Sequence, residues 1–188
     1  MKRKKTMKKK FLVISMLLAI VGFVSAQDYT VDGNSIKITK VIENTNLSVE
    51  QENEVLLTHL GKVYNDINST LKTNTSHSIV VKGVYPEVVS FSMGAWRANL
   101  GHQVVVSLKE NRVRVEVSVS QVHLWSSQTS TDHVITEYYP INPNMSIWGS
   151  NMSKSKSEEM VTKAVLLMNA TIHDIENALK SHVEDDNW

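Results

Sequence analysis

The chain has no cysteine among its 188 residues. That excludes disulfides, thiolate metal sites, a cysteine nucleophile and a lipid-modified cysteine behind a signal sequence. Glycine is sparse, at seven residues, and forms no phosphate-binding loop: Gly94 and Gly101 stand seven apart and no Gly-Lys-Ser/Thr follows. The Gly-x-Ser-x-Gly elbow of many serine hydrolases is missing. The seven histidines are scattered, without His-Glu-x-x-His or another metal-ligand spacing. The sequence therefore assigns no catalytic residue, and no metal or cofactor is expected. Acidic residues are missing from the N-terminal stretch. None precedes Asp28, whereas seven of the 20 Lys+Arg lie within the first ten residues.

Residues 1–26 read as a secretory signal peptide. The basic start MKRKKTMKKK precedes an apolar run from Phe11 to Val24. Val24-Ser25-Ala26 then forms an A-x-A-like cleavage site before Gln27. The run has some 14 apolar residues, short of the roughly 20 that span a bilayer. Export without disulfides suits a bacterial envelope, so the expected location is periplasmic or secreted. Cleavage between Ala26 and Gln27 leaves 13 basic against 19 acidic residues, a net charge of −6. An acidic chain is a poor partner for nucleic acid. Residues 27–188 are enough for a single domain, and nothing suggests a transmembrane segment in it.

The most informative stretch is 102–125. With Glu110-Asn111 as the turn, Leu108 faces Val113, Val106 faces Val115 and Val104 faces Val117, all on one side. Ser107/Arg114 and Val105/Glu116 fall on the other, because strand side chains alternate with a period of two. A three-residue loop would break that agreement. Ahead of this hairpin, Ser35 to Glu43 reads as a first strand that, after a slip, alternates Ile36, Ile38 and Val41. Asp28 to Asn34 is polar, with a turn signal at Asp32-Gly33-Asn34. Ser48 and Gln51 form a capping box that opens a helix with an apolar face running through Leu56 and Leu60 to Leu71. Thr70 to Ser76 is expected as a polar exit, Ser78 to Tyr85 as a strand ending at Pro86, and Val88 to Met93 as a short third strand. Gly94 to Gly101 is expected as a loop. Behind the hairpin, 126–153 lacks a sustained period, apart from a candidate edge strand at His133 to Tyr139. Ser155 and Glu158 form a second capping pair for a helix ending near Val183, before the acidic tail. The order is β-α-β-β-β-β-α. Two helices with one apolar face each can cover one face of one antiparallel sheet, giving a two-layer α+β domain with an irregular insertion at 126–153.

The hairpin turn, Lys109-Glu110-Asn111-Arg112-Val113-Arg114, resembles the Lys-Asp-Gly-Arg-Tyr-Arg turn of a secreted bacterial domain-of-unknown-function family with a TATA-binding-protein-like (TBP-like) fold. The resemblance spans about Ile36 to Trp125 and the C-terminal helix. Asn111 stands where the family often has Gly, and Asn is the next-best residue at positive φ. Val113 departs from the family's aromatic. The resemblance implies the fold and an exported location, and supplies no catalytic residue.

Two sets of residues are candidates for binding. Arg112 and Arg114 share the polar face of the hairpin with Lys109 and could form a small anion patch. Tyr138, Tyr139 and Trp148 lie in the irregular insertion, where amphipathic aromatics suit a binding surface. The structural alternatives are a solvated strand face for the arginines, and aromatics that pin the insertion onto the sheet. The resulting expectation is an exported, non-enzymatic protein that binds another protein or an envelope component. A hydrolase of unrecognised type and a structural domain of an assembly remain as alternatives.

Overall fold

The computed structural model describes residues 29–32, 35–64, 70–126, 131–135, 146–147, 150–151 and 153–185. The strands are β1 (Thr30–Asp32), β2 (Ser35–Glu43), β3 (Leu71–Thr75), β4 (Ser78–Phe91), β5 (Trp96–Lys109), β6 (Arg112–Ser126), β7 (Thr131–Ile135), β8 (Ser146–Ile147) and β9 (Ser150–Asn151). The helices are α1 (Val49–Val63), after β2, and α2 (Lys154–Asp185), after β9. A seven-stranded antiparallel sheet has the order β1-β2-β6-β5-β4-β3, with β7 beside the far end of β6, and β8 pairs β9 separately. Both helices pack on one face of the sheet, so the α+β two-layer architecture expected from the periodicities is the observed one.

The β5–β6 hairpin holds the register read from its sequence. Leu108, Val106 and Val104 pair with Val113, Val115 and Val117, and all six are buried. The turn residue Asn111 has φ of 60°. Asn44 N–H donates to Asn111 O at 3.0 Å, which clamps the turn to the β2–α1 connection. Beside it Glu52 of α1 is fully buried and accepts from Thr45 Oγ1 at 2.6 Å and from the Arg112 N–H. Burial raises the Glu52 pKa.

Several expected boundaries move, each for a physical reason. The polar stretch before β2 contributes a strand, because Thr30–Asp32 pairs with Ser35–Lys37 on either side of the turn signal. Strand β2 has no slip: Ile36, Ile38 and Ile42 are buried, and Val41 faces outward. The inward position between Ile38 and Ile42 belongs to Lys40, whose ammonium pairs with Glu176 of α2. A charged side chain in the apolar phase hid the register. Helix α1 opens on the Ser48–Gln51 capping box, as expected, but stops at Val63, with Tyr64 already extended. Leu71 therefore belongs to β3, which pairs with β4; its polarity suits an exposed edge strand.

Strands expected on either side of Pro86 are one strand, β4. A bulge between Tyr85 and Val89 takes up Pro86, and Glu87 at φ 48° turns its N–H to Asn99 Oδ1 at 2.7 Å. The stretch expected as a loop, Gly94 to Gly101, is mostly the start of β5. Ala98 and Leu100 point into the core and Arg97 and Asn99 lie on the other side. Only Ser92 to Ala95 turn, with Ser92, Met93 and Gly94 all at positive φ. The candidate strand at His133 to Tyr139 is met in part: β7 covers Thr131–Ile135, and residues 136–139 lie outside the described residues.

The cap of α2 is Ser153 rather than Ser155: its Oγ accepts from Lys156 N–H at 3.2 Å. Met160, Ala164, Met168, Ile172, Ile175 and Leu179 then line the buried stripe. The helix runs through Glu184 to Asp185, past the expected end at Val183. Repulsion between acids and the helix terminus is worth tenths of a kcal/mol, too little to unwind a helix about 48 Å long. No helix among the described residues is long and apolar enough to cross a membrane.

Candidate functional site

The sheet is two-faced. Its core face meets the helices, while the opposite face carries the outward positions of β2, β6, β5 and β4, with no second layer among the described residues. Where β4 is no longer paired by β3, beyond Val81, a cleft of about 480 Å³ spans from the end of α1 to the outer face. Val63, Tyr64, Thr70, Gly83 and His102 line it on the helix side, and Lys82, Val84, Gly101, Gln103, Ser120, Gln121 and His123 on the outer side. Pairing puts them together: Val84 faces Gly101, Gly101 faces Gln121, and Lys82 faces Gln103. The depression exists because Gly101 has no side chain. A Cβ there would meet Gln121 Cβ at 3.1 Å and Oε1 at 3.2 Å. A bulge next to Gly101 places both Ser120 and Gln121 outward and ends the strict alternation of β6.

One end of the cleft meets the only histidine in the apolar phase of β5. His102 sits between Leu100 and Val104, 6% exposed. Its Nε2 hydrogen-bonds the Tyr64 hydroxyl at 2.7 Å, and its ring stacks on Tyr85 with centroids 3.9 Å apart. The Tyr85 hydroxyl meets Thr171 Oγ1 of α2 at 2.8 Å, and Thr171 donates to Leu167 O. Burial lowers the His102 pKa to about 4, so the ring is neutral at pH 7. Burial likewise raises the phenol of Tyr64 and pushes that of Tyr85 up to about 12. Gly83 makes room for this group: a Cβ there would fall 2.5 Å from Tyr64 Cε1 and 2.8 Å from His102 Cε1. The cluster thus joins the end of α1, β4, β5 and α2. The histidine Nε2 is engaged by Tyr64, while its buried Nδ1 has no hydrogen-bond partner among the described residues.

Further along the outer face, Arg97 lies over the Trp125 ring at 5.7 Å from the centroid and pairs with Glu87. Trp125 is 38% exposed. Arg112 and Arg114 are on the same face at the opposite end of the hairpin, each beside a carboxylate. Arg112 lies 3.7 Å from Glu43, and Arg114 3.3 Å from Glu116, which also meets Lys37 at 3.2 Å. They are not brought to the cleft. Tyr138, Tyr139 and Trp148 lie outside the described residues, as do Ala26 and Gln27. Among the described residues no three His, Asp or Glu side chains converge as a metal site.

The sequence held a signal for part of this site. A histidine in the phase of Leu100, Val104 and Val106, directly after a glycine, marks a polar group facing the core. Reading Gly94–Gly101 as a loop concealed that phase. The pairing of Gly101 with Val84 and Gln121 has no local signal, since it depends on the bulges of two other strands.

No family model matches the chain, and no curated protein does. Solved structures do resemble it. A TBP-like protein from Parabacteroides distasonis superposes with a TM-score of 0.60 at 11% identity, covering 80% of this chain and 96% of that one. A DUF4468 family protein from Bacteroides ovatus gives 0.55 at 15% identity, covering 83% and 91%. At such identities the likeness is one of fold, and the fold is TBP-like, as the hairpin turn implied.

Proposed function

We propose that this chain is an exported, non-enzymatic binding domain that engages another protein or a cell-envelope component through the outer face of its sheet. The observation that carries this reading is the asymmetry of the sheet. Two helices bury one face, while the other presents a half-exposed Trp125 held by Arg97. Tryptophan and arginine are enriched among the anchors of binding surfaces, and contact with the ring and with Glu87 already restrains the Arg97 side chain before a partner arrives. The basic, then apolar, then small-residue order of residues 1–26 supports export. A TBP-like fold does not carry nucleic-acid binding with it, and the charge of −6 expected after cleavage argues against it.

The test uses residues 27–188 immobilised against envelope extract, beside a Trp125→Ala/Arg97→Ala variant. Both substitutions are on the outer face, so the variant is expected to keep its circular dichroism spectrum and lose the component retained by the native chain. Equal retention by a folded variant overturns the assignment of the binding face.

A further inference from the structure

We draw no further inference here: the strongest candidate, the cleft along the β4 edge at Lys82–Tyr85 that β3 leaves unpaired, is bordered by exposed polar side chains that select no ligand class, and nothing among the described residues shows what covers it.

Discussion

Acidification from pH 7 to pH 4 should weaken the fold by an amount traceable to one ring. His102 has an ordinary pKa of 6.5 when unfolded and about 4 when folded, because burial disfavours the charged form. Its folded pKa is depressed, so between those values the unfolded chain binds a proton that the folded chain does not. Stability is therefore full above pH 6.5, falls as pH drops through the window, and reaches its full loss below about pH 4. The separation of 6.5 from about 4 corresponds to roughly 3 kcal/mol, each tenfold change in proton affinity being worth about 1.4 kcal/mol. With a urea dependence of about 2 kcal/mol per molar, the unfolding midpoint should move by about 1.5 M. The ionisable neighbours, Tyr64 and Tyr85, stay neutral throughout because burial raises both. His59 is also lowered, mainly by burial, and adds a loss of the same sign as pH falls below 6.5. Glu176 and Glu159, lowered by their lysine partners, lose stability as pH falls through the carboxylate range, while raised Glu52 opposes them. A His102→Phe variant separates the contributions. It keeps an aromatic against Tyr85, leaves the Tyr64 hydroxyl without its partner, and so starts less stable, but it should lose most of the slope between pH 6.5 and 4.5. Urea melts at half-unit pH steps, with an NMR titration of the His102 ring, provide the measurement. An unchanged slope in the variant, or a His102 titrating near 6.5 in the folded chain, refutes the burial argument.

Further expectations concern the core, a helix and the N-terminus. Val115→Asp should cost several kcal/mol, since Val115 is fully buried opposite Val106, whereas Arg114→Ser on the exposed face should change denaturant midpoints little; equal effects would contradict the register. Gly83→Ala should destabilise by about 1–3 kcal/mol, because the new methyl group meets two rings already held by stacking and a hydrogen bond, and the His102 ring resonances should shift with it. Gly61→Ala should raise stability by up to about 1 kcal/mol, as nothing lies within 4 Å of a Cβ in that helical position; a lowered melting temperature would show an unfavourable contact. Intact-mass analysis of exported protein should place the N-terminus at Gln27, and a mass retaining the lysine-rich start would mean an uncleaved anchor.

The sequence by itself determined those features that depend on local rules. Alternation around Glu110-Asn111 allows only one register that keeps Val104, Val106 and Leu108 with Val117, Val115 and Val113. Ser48 with Gln51 specifies a helix start through two local hydrogen bonds, and the stripe from Met160 to Leu179 specifies a helix through its period. From these the two-layer α+β class followed. Tertiary structure decided whatever depended on a partner remote in the chain. Lys40 is tolerated in the inward phase only because Glu176, 136 residues away, accepts its ammonium. Pro86 does not end β4 because Asn99 of the neighbouring strand accepts the displaced Glu87 amide. The cleft requires Gly101 to fall between Val84 and Gln121, which bulges in β4 and β6 bring about. His102 is neutral because α1, β4 and α2 close over it, for a pKa follows from the solvent a group has lost, and that is fixed only when distant segments pack.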